Sequence, residues 1–135
     1  MGSPSDRKYS KEHEWVKLDG DTARVGITDY AQDQLGDIVY VDLPEAGASL
    51  TQFEKMGEIE SVKAVSDLFA PVGGDVIATN HAVVEKPELV NSDPFGEGWL
   101  LEVRVGDASE MEKLLSAEEY DAFTESEQRD EALGP

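Results

Sequence analysis

Between residues 21 and 105 the chain is divided into short apolar segments by glycine, proline and other turn-forming residues. Six segments alternate apolar with polar residues or are rich in β-branched residues, a pattern that predicts strands. These segments are 21–28, 38–43, 57–62, 67–70, 75–79 and 99–105. They lack the alternation of strands with longer helices that a parallel sheet requires. The spacing therefore predicts a mainly β fold of small antiparallel sheets, as a sandwich or a barrel.

Glycine and proline mark one particular turn. Pro71, Gly73 and Gly74 separate the fourth strand segment from the fifth. Proline cannot extend a strand ladder, and paired glycines permit the positive φ angles of a tight hairpin. We therefore expect a hairpin turn at this glycine pair.

Two parts of the chain predict helices. Asp29 is the expected N-cap of a short internal helix over residues 30–35, which Gly36 ends. Near the C-terminus, Ser109 and Ser116 each have a glutamate three residues later, the pattern of a capping box. We expect two short C-terminal helices packed on the β core.

The chain length of 135 residues fits one compact domain rather than two. Residues 1–7 are expected to be a flexible N-terminus or a cloning remnant, residues 8–125 the folded domain, and residues 126–135 a frayed acidic tail. No apolar run approaches the roughly 18 residues that span a bilayer, and no secretory or transit segment is evident. We expect a cytoplasmic monomer, or a mitochondrial matrix protein if this is a mature eukaryotic chain.

Acidic residues outnumber basic ones by 30 to 11, which gives a formal net charge of −19. Nucleic acid and anionic membranes are therefore not expected partners, because both attract clustered lysine and arginine. The charge favours steered encounters with basic protein surfaces. The chain has no cysteine, which excludes disulfides, thiolate metal ligands and a cysteine nucleophile. Any sulfur chemistry must come from a cofactor.

Lys63 is the one lysine of seven that the strand pattern places at the tip of a tight hairpin. It lies in the sequence ESVKAVSD, between two strand segments. An exposed lysine in a turn is ordinarily just solvated. A lysine that another enzyme must acylate also needs this position, with a long stem, an exposed amine and a rigid support.

Several motifs together resemble the glycine cleavage H-protein family, in the family's order and over nearly the whole chain. They are Glu12-His-Glu-Trp15, Val25-Gly-Ile-Thr-Asp-Tyr-Ala31, Leu35-Gly-Asp37, Glu60-Ser-Val-Lys63, Leu89-Val-Asn91 and Gly96-Glu-Gly-Trp99. The resemblance implies a lipoyl-domain-like barrel-sandwich hybrid of two small antiparallel sheets, with lipoic acid amide-linked to Lys63. It implies a non-catalytic shuttle, so that no catalytic residue is expected.

The resemblance also implies the partners. They are the pyridoxal-phosphate glycine decarboxylase that supplies an aminomethyl group, the tetrahydrofolate-dependent aminomethyltransferase that takes it, dihydrolipoamide dehydrogenase, and lipoyl-attaching enzymes. Family members fold the arm back into a cleft on the carrier. In this chain we expect Glu14 and Asp67, with Glu12 as a weaker candidate, to hold the charged amine there.

Three other functions fit these residues less well or equally well. A biotinyl carrier has the same fold, but that family typically flanks its lysine with methionines, whereas Val62 and Ala64 flank Lys63. The second alternative is an H-like protein that relays lipoyl groups to other carriers, and the residues alone do not exclude it. A small hydrolase needs a nucleophile and base, for which no constellation is evident. His13 and His81 have no recognised metal-ligand spacing and are expected to be structural or surface residues.

Overall fold

The computed structural model describes residues 3–132, with side chains described as far as residue 127. In that part of the chain nine strands form two antiparallel sheets. The strands are β1 Lys8–Tyr9, β2 Glu14–Asp19, β3 Thr22–Ile27, β4 Ile38–Asp42, β5 Ser49–Leu50, β6 Lys55–Ser61, β7 Val65–Phe69, β8 Gly74–Thr79 and β9 Leu101–Val105. One sheet has the order β1-β2-β3-β9-β8-β5 and the other β4-β6-β7. The expected mainly β fold of two antiparallel sheets is confirmed.

Helices cover the ends of the sheets. They are α1 Asp29–Leu35, α2 His81–Glu85, α3 Glu88–Ser92, a 3₁₀ helix at Ala108–Lys113, and α4 Ala117–Ala132. The described helices include none that is both long enough and apolar enough to cross a membrane. The expected internal helix is confirmed, but its N-cap is Thr28 rather than Asp29, since the Thr28 side chain accepts the Ala31 N–H. Both residue types cap helices well, so the sequence alone left the choice open.

The C-terminal helices differ from expectation. The first is a 3₁₀ helix, and α4 continues past Glu125, where fraying was expected, to Ala132. An apolar face explains part of this length, because Tyr120 is buried with Tyr9 and Trp15 and Phe123 packs against the same cluster. The domain boundaries at residues 7 and 125 stay predictions.

Gly73 and Gly74 do not form the expected hairpin turn. They connect β7 of one sheet to β8 of the other, and these two strands are not paired. Gly74 has φ 146°, and a Cβ there would lie 2.0 Å from the Arg104 carbonyl oxygen. Glycine is therefore required because two backbones approach closely, since only a residue without Cβ fits.

The main core fills the space between the two sheets. Apolar residues of both contribute to it, including Val25 and Val103 from the larger sheet and Ile59 and Leu68 from the smaller. Each is at most 2% exposed. This core fixes the smaller sheet, and hence the β6–β7 hairpin, against the rest of the molecule. Its burial is the main favourable free energy of such a fold.

Candidate functional site

The tip of the β6–β7 hairpin is a tight, internally bonded turn over residues 62–64. The Ser61 N–H donates to the Ala64 carbonyl oxygen at 2.8 Å. The Ser61 Oγ accepts the N–H groups of Lys63 at 3.2 Å and Ala64 at 3.1 Å. Ser61 is 5% exposed, whereas Lys63 at the apex is exposed. A buried hydroxyl thus holds the backbone of the exposed lysine.

The tip is also tied to the segment before β4. The Val62 N–H donates to the Asp37 carbonyl oxygen at 3.0 Å. Beside it, Gly36 has φ 81°, and a Cβ there would lie 3.6 Å from the Lys63 Cε. The Lys63 stem therefore lies over the end of α1, and its position is set by two chain segments rather than by the turn alone.

A cleft of about 270 Å³ opens behind the hairpin, between α1, β7 and the segment before β2. Its walls combine acids with apolar side chains. The lining residues are Glu12, His13, Glu14, Ile27, Tyr30, Ala31, Gln34, Leu35, Ile59, Ser66, Asp67, Leu68 and Glu127. Glu12, Glu14 and Asp67 thus all line one cleft, with the Asp67 carboxylate turned toward Lys55 on the outer face of the three-stranded sheet, while Lys63 is outside the lining. The role of the three acids in holding an amine stays a prediction.

Glu14 is the buried acid of this cleft, with 1% of its surface exposed. Its Oε1 accepts the Ser10 hydroxyl at 2.6 Å, and its Oε2 accepts the Phe69 N–H at 3.1 Å. Burial raises the pKa of Glu14 from 4.5 to about 8, against the lowering effect of these hydrogen bonds. No cationic side chain of the described residues contacts this carboxyl, which is therefore largely protonated at neutral pH.

A tight turn brings Glu14 to the cleft. The His13 N–H donates to the Ser10 carbonyl oxygen at 3.1 Å, and His13 has φ 73°. Histidine is among the residues that adopt this left-handed region more readily than most. The turn starts β2 with Glu14 facing β7, where Phe69 offers an N–H at the sheet edge.

The other two acids lie in water. Glu12 is exposed, and the Asp67 carboxylate is 3.3 Å from the Lys55 amine with 48% of its side chain exposed. Solvent screening makes an exposed charge worth much less than a buried one. Of the three predicted residues, Glu14 is therefore the one whose charge, once ionised, would be screened least.

A polar chain that sequence reasoning missed connects the cleft to α4. The His13 Nδ1 lies 2.8 Å from the Tyr120 hydroxyl, which lies 2.7 Å from the Thr28 Oγ1. The His13 Nε2 contacts the Glu127 carboxylate at 3.1 Å. Burial lowers the pKa of His13 and raises that of Tyr120. This series of side-chain contacts joins α4 to Thr28, the N-cap of α1.

The two histidines are placed differently. His13 takes part in this polar chain, whereas His81 is exposed on α2 beside Glu45, with 3.2 Å between Nε2 and Oε1. Within residues 3–132 no group of three or more side chains is arranged to hold a metal ion.

The profile of one family, described as Glycine cleavage H-protein, matches residues 7–127. The chain belongs to this family. A glycine cleavage system H protein of Bacteroides thetaiotaomicron is 55% identical over 122 residues, covering 90% of this chain and 97% of that one. The protein of the same name from Bacillus subtilis is 49% identical over 127 residues, covering 94% and 100%.

A solved structure agrees with this membership of the H-protein family. The crystal structure of a glycine cleavage system H protein from Mycobacterium marinum superposes with a TM-score of 0.80 and 43% identity. The match covers 89% of this chain and 97% of the Mycobacterium marinum chain. The resemblance inferred from the sequence motifs is confirmed, and so is the fold expected from it.

Ser61 supports the turn that carries Lys63, and a local signal in the sequence could have revealed this. A serine shortly before a turn often accepts backbone N–H groups of the following residues. Tyr30, Gln34 and Ser66 had no such signal, because they come together only where α1 and β7 line the same cleft.

Proposed function

We propose that this chain is the lipoyl-bearing shuttle of the glycine cleavage system, with lipoate amide-linked to Lys63. It would carry the aminomethyl group from glycine decarboxylase to the tetrahydrofolate-dependent aminomethyltransferase, and the reduced dithiol to dihydrolipoamide dehydrogenase. The observation that carries this proposal is an exposed lysine on a rigid hairpin in a member of this family. The group supplies reversible dithiol chemistry, which a chain without cysteine cannot supply itself.

Lys63 fits an amide-linked group. Its amine is exposed, its stem passes Gly36, and Ser61 restrains its backbone. Acylation removes the lysine charge, so the modified tip becomes neutral. The chain's own contribution is to present one amine in a fixed place to a separate enzyme.

The cleft is the proposed resting place for the charged amine carried at the end of the arm. A carboxylate about 4 Å from an ammonium contributes ~4 kcal/mol at an effective dielectric of about 20, but only ~1 kcal/mol in bulk water. Glu14 has the buried position that this requires. An entering cation would lower the pKa of Glu14, so that its carboxyl gives up a proton and becomes the counter-ion. Asp67 and Glu12 are exposed to solvent and therefore attract the amine more weakly.

The attachment site is tested by intact mass spectrometry of protein made with lipoate available. Wild type and the exposed control Lys86→Arg should gain one lipoyl group, whereas Lys63→Arg should gain none, because a guanidinium does not replace the amine. The added mass also separates lipoate from biotin. Lipoyl label on another lysine of the Lys63→Arg protein would refute the assignment.

The resting place is tested by following the decay of purified loaded carrier without its partners. Glu14→Gln should release ammonia and formaldehyde several-fold faster than wild type, and Asp67→Asn slightly faster. Lipoylation of Lys63 and reoxidation of the free dithiol should stay near wild type in both. Equal decay in all three proteins would remove these residues from the site.

A further inference from the structure

The outer face of the three-stranded sheet carries a row of side chains beside the hairpin tip. Tyr40 pairs with Glu60, which pairs with Val65, so the three lie side by side across β4, β6 and β7. Ile59, the residue before Glu60 on β6, is buried. Because successive side chains of a strand point to opposite faces, the row faces solvent on the side away from the core. Tyr40 is 53% exposed and Val65 63% exposed.

Two more valines extend this row into an apolar patch. Val39 lies at the β-bulge before Tyr40 and is 50% exposed, and Val62 lies in the tip turn and is 68% exposed. We call Val39, Tyr40, Val62 and Val65 the tip patch. They are half of the eight large apolar side chains exposed among the described residues. Scattered exposed apolar side chains are ordinary, but a concentration of them on one surface marks an interaction site.

An acidic row borders the tip patch on the same face. Asp42 pairs with Glu58, which pairs with Asp67, and each lies two residues from its counterpart in the row of Tyr40, Glu60 and Val65. The Lys55 amine bridges Glu58 at 2.7 Å and Asp67 at 3.3 Å. With Glu60, the face has four carboxylates against this one amine. A complementary surface is therefore apolar with a basic border.

We propose that the tip patch and its acidic border are the docking surface for the enzyme that acylates Lys63. This rests on the proposed function. The unmodified amine lies at the end of a four-carbon stem. An enzyme that acts on it must therefore approach the hairpin backbone to within the length of that stem, and must cover the neighbouring side chains. Enzymes that act on the far end of the attached arm have no such requirement.

The reaction explains why docking is needed. The deprotonated Lys63 amine attacks the carbonyl carbon of lipoyl adenylate, an amide C–N bond forms, the acyl–phosphate bond breaks, and AMP and a proton leave. The amine and the acyl carbon must be held in contact for this attack, which requires the enzyme to seat on the surface around Lys63.

The test is steady-state lipoylation of the full chain by an ATP-dependent lipoate ligase. Tyr40→Thr combined with Val65→Thr places β-branched residues at both strand positions but removes apolar surface. It should raise KM for the carrier about ten-fold with little change in kcat, in the range of truncated interface residues. The matched control is Leu18→Thr with Ile77→Thr, which truncates two side chains, each 38% exposed, on the six-stranded sheet. It should match wild type.

Two further measurements separate docking from damage to the tip. Acetylation of Lys63 by acetic anhydride, followed by peptide mapping, should proceed equally in wild type and the tip variant, because it needs exposure alone. Asp42→Asn should raise KM by a smaller factor and reduce its dependence on salt.

Unchanged KM in the tip variant would overturn the docking proposal. So would unchanged ligase kinetics with slower aminomethyl transfer to tetrahydrofolate, which would assign the face to another enzyme. Failure of the proposed function looks different, because Lys63→Arg would then still be lipoylated. If Lys63→Arg blocks modification and the tip variant behaves as wild type, only the docking surface is wrong.

Discussion

Lys63 at the hairpin tip and Glu14 in the cleft lie at opposite ends of strand β7, and the two charged residue types differ in their exposure to water. Lys63 precedes β7 and is exposed, whereas Glu14 binds the N–H of Phe69 at the end of the strand and is 1% exposed. An amine that other enzymes modify must be reachable. A carboxyl that holds a cation is effective only where water is excluded.

The two regions also differ in what supports them. The tip turn is held mainly by bonds between residues two or three positions apart, from Ser61 to Lys63 and Ala64, with one longer-range bond from the Val62 N–H to the Asp37 carbonyl oxygen. Glu14 depends on Phe69, which is 55 residues away. A locally supported site tolerates changes elsewhere in the fold, whereas the cleft exists only when both sheets are packed. Four experiments test this contrast.

The largest expected effect is the pH dependence that Glu14 gives to the stability of the fold. Its pKa is about 8 in the folded chain and ordinarily 4.5, so between these values the folded state binds more protons. The contribution of this carboxyl to the free energy of unfolding is therefore fully present below pH 4.5. It is lost as the pH rises through 8, by up to about 1.4 kcal/mol per pH unit. His13 acts oppositely, because its lowered pKa makes stability rise up to about pH 6.5.

Urea unfolding of wild type and Glu14→Gln across pH 5–8.5 isolates this effect, since His13 is common to both. The advantage of wild type should shrink steadily with pH. A constant difference would mean that Glu14 is ionised throughout, like an ordinary exposed acid, and the contrast with the tip would fail.

The next effect is the loss of the buried hydrogen bonds. Glu14→Ala leaves the Phe69 N–H and the Ser10 hydroxyl without their partner, and should lower the free energy of unfolding by about 2 kcal/mol at pH 6. Glu12→Ala, at an exposed neighbour in the same cleft, is the control and should change little. Denaturant melts measure both, and equal values would contradict the burial argument.

A smaller effect is expected at the tip turn. Ser61→Ala removes the acceptor for the Lys63 and Ala64 N–H groups, at a cost of about 1 kcal/mol. Lipoylation should slow several-fold, because the lysine backbone loses its restraint. Ser49→Ala, at an exposed serine on the six-stranded sheet, controls for loss of a hydroxyl. Wild-type lipoylation by Ser61→Ala would show that exposure alone is sufficient.

The smallest effect belongs to Lys63 itself. Lys63→Ala should change the free energy of unfolding by no more than about 0.5 kcal/mol, as for most exposed substitutions. Its lipoylation should nevertheless disappear completely. A clear loss of stability would show that the Lys63 stem packs on Gly36 more tightly than an exposed side chain should.

Much of the β framework could be predicted, because alternation along a strand is a local signal. All six predicted segments overlap observed strands. Strands β1 and β5 were missed because two residues carry no periodicity, and β2 because only its first three residues are buried. The glycine pair before β8 was misinterpreted, since close approach to Arg104 arises only when the sheets are assembled.

The sequence by itself determined the β character, the family and the lysine at the hairpin tip, because each depends on neighbours along the chain. Only the tertiary structure decided that Glu14 is buried, that it shares a cleft with Asp67, and that Tyr40 joins Val65 beside Lys63. Burial and cross-strand register depend on residues far apart in sequence. A carboxyl's pKa follows its surroundings, and those are set when β2, α1 and β7 pack together.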